Sequence, residues 1–224
     1  MKIACVQPSL AEAAGGERQV LMLAIELQKM GCEVELFTTY VDYERCFPAL
    51  LRQVKVKSLY GKIEHLRARN IASWLARKPV VWGLARDVGL NYKSFYDMIR
   101  LGMNISSNFD IINCHNFPSE WAAFIAKRNT HAKTVWMCNE PPFWFYHKSP
   151  YKPLSWPLYE LWDKLATRHI DLIVALDNLN MRRIRKIYSR QAVVIRSGVD
   201  VEKFKGNCRD DIRQWHGLIK EDFV

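Results

Sequence analysis

The sequence predicts an α/β protein built on one doubly wound parallel sheet. Short apolar segments of strand length alternate with longer segments of helical periodicity along most of the 224 residues. This alternation is typical of successive βαβ units, in which each helix returns the chain so that the next strand runs parallel to the last. The composition, 49% hydrophobic and 25% charged, is that of a globular protein with enough length for a large core.

The first βαβ unit opens the chain. Residues 2–7 are apolar and predict a short strand. Apolar residues then recur from Val20 to Leu27 at i, i+3, i+4 and i+7, which is the buried stripe of an amphipathic helix. Gly31 predicts the end of that helix, and residues 33–38 alternate as a second strand.

Two glycines, Gly15 and Gly16, lie in the turn between the first strand and its helix. Glycine lets backbone approach a ligand closely, and the free amides of a helix start attract anions. The turn lies at the carboxyl end of a parallel strand, where open α/β sheets place their ligands. The pair alone favours a simple packing turn, and it lacks the G-x-G-x-x-G spacing of a dinucleotide-binding oxidoreductase.

The same alternation continues to the end of the chain. Further predicted strands cover 54–60, 110–115, 134–137, 171–175 and 191–195. Further predicted helices cover 62–78, 92–106, a segment capped by Ser119, 155–169 with Pro157 in its first turn, and 178–187. The aromatic, proline-bearing segment 143–153 has no regular pattern, and loops of this length are often functional.

Positive charge is unevenly distributed over the chain, whose net charge is +10. Residues 51–100 hold eleven basic and three acidic side chains, a local excess of eight. Within them, residues 62–86 combine cations with tryptophans, which slightly favours an anionic membrane partner over a solvated cationic surface. A second basic group is Arg182, Arg183, Arg185, Lys186 and Arg190. Because no nucleic-acid-binding module surrounds these patches, nucleic acid is not the expected partner.

The cysteine pattern bears on compartment and metal. Six cysteines form no C-x-x-C pair, so neither a zinc nor a redox motif is predicted. Several fall in predicted strands, where a reduced cysteine behaves as a small hydrophobe. The chain shows no signal peptide and no apolar run long enough to span a membrane. We therefore expect a cytoplasmic protein that can contact the cytosolic face of a membrane. We expect no metal site.

Four stretches carry a resemblance to a known family. They are residues 14–27 with the glycine turn, residues 110–115 ending in His115, residues 136–142 (WMCNEPP), and residues 192–204 (AVVIRSGVDVEKF). Their order and intervals resemble the N-terminal half of the retaining glycosyltransferases of family four, which have the GT-B fold. The resemblance covers nearly the whole chain and implies a Rossmann-like domain over residues 1–204, with residues 205–224 connecting to a second domain.

Three of these motifs depart from the family pattern. Ala14-Gly15-Gly16 stands where the family usually has Gly-Gly-Ala, and Asn139 stands where histidine is common. Arg196 and Ser197 replace the usual Pro-Asn of the hinge.

The resemblance also implies roles for particular residues. The implied substrate-binding residues are Gly15, Gly16, Glu17, Arg18 and Asn116, with Asn139 and Glu140 on the acceptor side. His115 would be catalytic by reaching the transferred sugar, and Ser197, Gly198 and Asp200 would form the hinge. The residues themselves leave simpler alternatives open. His115 could be a histidine at a strand end with only a structural role, Asn139 and Glu140 could belong to a turn held by asparagine hydrogen bonds, and residues 197–200 could be a surface turn.

The family binds its nucleotide sugar mainly in a second domain, for which only 24 residues remain after Asp200. We therefore expect a nucleotide-diphosphate sugar as donor substrate, no cofactor, and a donor-binding domain in cis or a partner in trans. The expected reaction moves a hexosyl group to a saccharide or lipid-linked acceptor with retention, and the isolated chain is expected to transfer little or no sugar. The alternative is a non-catalytic acceptor- or membrane-binding subunit that pairs with a separate donor-binding protein.

Overall fold

The structure, a computed structural model, describes residues 1–60, 93–142, 146, 156–198 and 217. Its centre is one seven-stranded sheet with the order β3-β2-β1-β4-β5-β6-β7, and every neighbouring pair of strands is parallel. The strands are β1 (Lys2–Val6), β2 (Glu33–Thr38), β3 (Lys55–Ser58), β4 (Ile111–His115), β5 (Lys133–Cys138), β6 (Leu172–Ala175) and β7 (Val193–Val194).

Six helices fall within the described ranges. They are α1 (Gly15–Lys29), α2 (Pro48–Leu51), α3 (described over 93–103), α4 (Ser119–Lys127), α5 (Trp156–Arg168) and α6 (Asn178–Tyr188). No helix in these ranges is both long enough and apolar enough to cross a bilayer.

The sheet is buried on both faces, as a doubly wound fold requires. Ile3, Cys5 and Leu36 pack with α1 and α2 on one face. Alternate residues of the same strands, such as Ala4 and Phe37, pack with α3, α4, α5 and α6 on the other face. Since successive side chains of a strand point to opposite faces, one short apolar strand contributes to both cores. The predicted fold class is confirmed.

Most predicted elements are confirmed with small changes at their ends. The second strand has the predicted bounds, and α1 stops before Gly31, whose φ of 83° is the left-handed conformation that glycine adopts readily. The predicted basic helix over 62–78, the wider patch 62–86, the loop 143–153 apart from Tyr146, and the segment 205–224 apart from Gly217 lie outside the described residues.

One local prediction differs from the structure, and one short helix was not predicted. Ser119 is not the cap of α4, because Pro118 holds that position and the Ser119 hydroxyl instead donates to the carbonyl oxygens of His115 and Asn116. The short helix α2 carries no sequence signal beyond Pro48 at its first position, and it begins after Phe47, which has a φ of 43°. A positive φ at a bulky residue is set by the surrounding contacts and has no propensity signal.

Candidate functional site

The carboxyl edge of the sheet carries a polar side chain just beyond each of four neighbouring strands. Gln7 follows β1, Asn116 follows β4, Asn139 follows β5, and Asp177 lies beyond β6. The strand order places β1, β4, β5 and β6 side by side, so residues far apart in sequence meet at this edge. Open α/β sheets bind their ligands in this position.

Hydrogen bonds join these side chains in a row. The Asn116 amide donates from Nδ2 to Oε1 of Gln7 at 3.3 Å, and Asn139 donates from Nδ2 to Oδ1 of Asn116 at 2.9 Å. Asn180 then donates from Nδ2 to the carbonyl oxygen of Asn139 at 3.1 Å. At the other end of the row, Gln7 donates to Oε1 of Glu17 at 3.4 Å. The row links the start of α1 to the start of α6.

The start of α1 faces this row. Its N-cap residue, Ala14, offers no side-chain acceptor, so the first amides of the helix have no side-chain cap. A Cβ atom on Gly16 would lie 2.4 Å from Nδ2 of Asn116, which is too close for any side chain. A Cβ atom on Gly15 would meet no atom within 4 Å. Gly16 is therefore needed for packing, whereas Gly15 borders open space beside the free amides.

His115 lies below the edge and is completely buried. Both of its ring nitrogens are buried without a hydrogen-bond partner. Burial lowers the pKa of His115 from 6.5 to about 4, because the charged imidazolium has lost its solvation, so the ring is neutral near pH 7. The predicted contact of His115 with a transferred sugar stays a prediction, and in this structure the ring is enclosed by protein.

The remaining predicted site residues differ in their surroundings. Arg18 and Glu140 are exposed on either side of the row. Ser197 accepts a hydrogen bond at 2.9 Å from Nε2 of Gln19, which ties the predicted hinge to the first turns of α1. Gly198 has open space around its Cα, and Asp200 lies outside the described residues.

Sequence reasoning missed three residues of this edge. Gln7 and Asn180 are members of the hydrogen-bonded row, and Gln19 contacts the hinge. Asn180 is also held by Asp177, whose side chain accepts from its backbone amide at 2.7 Å. Asp177 lies three residues before Asn180 at the start of α6, and such an aspartate is a capping signal that can be read from the sequence. The contacts of Gln7 and Gln19 have no such local signal, because they depend on the order of the strands.

No group of three or more metal-binding side chains occurs in the described part of the chain. The five described cysteines, at positions 5, 32, 46, 114 and 138, are free thiols. What remains at the edge is an amide-rich row, with the carboxylates of Glu17 and Asp177 at its two ends, beside an uncapped helix start. Such a surface suits hydroxyl groups, which amides bind by donating and accepting, together with an anion at the helix amides.

A second polar cluster lies behind the site, between α4, α5 and α6. Asp163 accepts hydrogen bonds from Trp121 Nε1 at 2.7 Å, from Tyr188 Oη at 2.9 Å, and from the Tyr146 hydroxyl. Glu120 lies beside it, and both carboxyl groups are fully buried. Burial first, and the Asp163 charge second, raise the pKa of Glu120 well above its usual range. Since three donors favour a charged Asp163, we assign the proton of this pair to Glu120.

A parallel sheet with an uncapped helix start and a polar row at its carboxyl edge defines an α/β domain with a candidate ligand site at the ends of its strands. The chain matches the model of Glycosyltransferase Family 4 over residues 13–203, and it belongs to that family. A search of curated protein sequences finds no match.

Solved structures with the same fold are GT-B glycosyltransferases. Alr3699/HepE from Anabaena, in complex with UDP, is 15% identical with a TM-score of 0.61, and the match covers 97% of this chain and 50% of that one. Sucrose-phosphate synthase from Thermosynechococcus elongatus is 12% identical with a TM-score of 0.61, covering 99% and 53%. The apo lipopolysaccharide outer core galactosyltransferase WaaB is 14% identical with a TM-score of 0.53, covering 89% and 46%. The chain thus spans about half the length of these structures.

Proposed function

We propose that the chain is the acceptor-side half of a retaining glycosyltransferase. In this proposal the complete enzyme, of which the chain is one half, transfers a hexosyl group from a nucleotide-diphosphate sugar to a saccharide or lipid-linked acceptor. Family membership supports the reaction class, and the half-length match supports a donor-binding domain in cis or in trans. The observation that carries the proposal is the open start of α1, where Gly15 leaves the helix amides accessible beside the polar row.

The proposed chemistry uses two parts of that edge, the start of α1 and the polar row. The uncapped amides of α1 supply partial positive charge for the diphosphate, which gains negative charge as it leaves the sugar. The side chains of Asn116 and Asn139 hold hydroxyl groups of the sugars by hydrogen bonds in both directions. The protein would supply position and charge, and retention in this proposal proceeds on one face of the sugar without a protein nucleophile.

Peripheral membrane contact is a further part of the proposal. The excess of eight positive charges in residues 51–100 supports attraction to anionic lipid on the cytosolic face. The free thiols of the described cysteines are compatible with a reducing compartment.

The test uses the product of the complete reading frame and residues 1–224 side by side, with UDP-glucose and other nucleotide sugars as donors. Product anomers are assigned by NMR. We expect transfer with retention by the complete product and little or none by residues 1–224. Transfer with inversion, or equal transfer by residues 1–224, would contradict the proposal.

A variant pair links the assay to the α1 site. Gly15→Ala places a methyl group in the open space without touching protein atoms, so we expect a melting temperature that is unchanged or slightly raised by the helix propensity of alanine, and a donor KM raised about tenfold. Lys29→Ala, at the opposite end of the same helix, is the control. An unchanged donor KM in Gly15→Ala would exclude the α1 start as the diphosphate site.

A further inference from the structure

The outer surface of α5 carries an apolar row that the fold does not use. Its members are Leu158, Leu161 and Leu165, here called the leucine stripe, with exposed fractions of 70%, 66% and 42%. Their i, i+3 and i+7 spacing places them on one side of the helix, opposite the buried Asp163 and Thr167. A surface helix normally shows apolar residues only toward the core, so this second apolar side is unexplained by folding.

The leucine stripe lies on the solvent side of α5. Helix α5 packs mainly on α4 and also on α6, which places it on the outside of the helical layer that covers this face of the sheet. A helix in this position with a row of exposed leucines can lay its apolar side into the interface of a lipid bilayer.

The neighbouring helix supplies charge. Tyr188 of α6 donates to Asp163 of α5, so the two helices are fixed side by side. Helix α6 contains no acidic residue, and three of its cations are exposed. These three, Arg182, Arg185 and Lys186, are here called the basic face of α6.

The C-terminal end of α5 is also basic. Arg168 is exposed in the last turn, and Arg190 donates to the carbonyl oxygens of Thr167, Arg168 and Ile170. An exposed leucine row bordered by cations is the pattern of a surface that enters the boundary between lipid headgroups and acyl chains. Nucleic acid would use the cations but would leave the leucines in water, since its protein interfaces are polar.

We propose that the leucine stripe and the basic face of α6 dock this domain onto an anionic lipid surface. The leucines enter the interface, and the cations meet the headgroup phosphates. The inference rests on the proposed function only in that a lipid-linked acceptor gives the docking its use. The proposed lipid contact lies on α5 and α6, and it is separate from the basic segment 62–86 for which the sequence predicts membrane contact.

Vesicle cosedimentation of the full chain, without any nucleotide sugar, tests the proposal. The probes are pure phosphatidylcholine vesicles and vesicles that also contain phosphatidylglycerol. We expect binding to the anionic vesicles that falls as salt rises, and much weaker binding to the neutral ones. Absence of binding to anionic vesicles at low salt would overturn the proposal.

Two pairs of variants locate the contact. Leu161→Ser should weaken vesicle binding about tenfold, whereas Met30→Ser, which removes a side chain 79% exposed at the end of α1, should not. Replacing the basic face of α6 by alanine should cost about fivefold for each cation. The matched charge control replaces Lys29, Arg45 and Lys133, all exposed and outside both α5 and α6 and residues 51–100, by alanine.

Other outcomes would contradict the proposal. Equal losses in a pair of matched variants would show that only total charge or general hydrophobicity acts. Self-association without lipid that Leu161→Ser abolishes would assign the stripe to a second copy of the chain. Failure of sugar transfer would leave the vesicle result unaffected, so the two proposals fail separately.

Discussion

A Cβ atom on Gly16 would lie 2.4 Å from Nδ2 of Asn116, so any side chain at the start of α1 would push the Asn116 amide out of its present position. Asn116 has a φ of 59° and bonds both Gln7 and Asn139. The close contact therefore joins the glycine turn to the polar row, and the two features form one structural unit.

Gly16→Ala should destabilise the fold by about 1–2 kcal/mol. The added methyl group displaces the Asn116 amide from two hydrogen bonds, each of which contributes about 1 kcal/mol, while alanine recovers part of this through helix propensity. Urea unfolding measures the difference. Gly15→Ala is the control, since its Cβ meets no neighbour, and a Gly16→Ala protein as stable as Gly15→Ala would contradict the contact.

His115 makes stability depend on pH in the acid range. Its pKa falls from 6.5 in the unfolded chain to about 4 in the fold, so below pH 6.5 the unfolded chain binds a proton that the fold does not. The free energy of unfolding should therefore drop as pH falls from about 6.5 to about 4, by about 3 kcal/mol for this group. Above pH 6.5 the contribution is constant.

Urea unfolding between pH 7 and pH 4 tests this dependence in His115→Leu. The variant should lose about 3 kcal/mol less than the parent chain over that interval, since it has no imidazole to protonate. His131→Gln, which changes an exposed histidine, should follow the parent chain. Parallel curves for the parent and His115→Leu would show that the ring titrates normally.

The hydrogen bond from Gln19 to Ser197 predicts restrained motion at the hinge. It joins α1 to a segment 178 positions away along the chain and is exposed to solvent. Gln19→Ala should raise the rate of amide hydrogen exchange in residues 195–198 severalfold. Segments held by solvent-exposed hydrogen bonds open locally without unfolding of the core, and this variant removes one such bond. Lys29→Ala, also on α1, should leave that exchange unchanged, and equal exchange in all three proteins would show that the bond restrains nothing.

The sequence predicted the sheet well because its strands are short apolar runs with turn signals between them. Local pattern also placed the ends of α1 and β2, where Gly31 and strict alternation are decisive. It did not predict the partners of Gln7 or the burial of His115, which depend on β1 lying beside β4 in the strand order. Ser119 is the first residue of α4 and not its predicted cap, because its hydroxyl donates back to the carbonyl oxygen of His115 in β4.

Glu120→Gln should stabilise the fold more at pH 7 than at pH 5. In the parent chain Glu120 keeps its proton when folded and loses it when unfolded, because burial and the Asp163 charge raise its pKa. Stability is therefore lost as pH rises above the ordinary glutamate pKa of about 4.5, and glutamine, which is already neutral, avoids that loss. Urea unfolding of both proteins at the two pH values gives the difference.

Glu12→Gln, which neutralises an exposed glutamate, is the control and should show no such pH dependence. Asp163 keeps its charge in this pair, since Trp121, Tyr188 and Tyr146 all donate to it. If Glu120→Gln were instead equally stabilising at both pH values, folding would not add a proton to the pair of Glu120 and Asp163, and the shift assigned to Glu120 would be wrong.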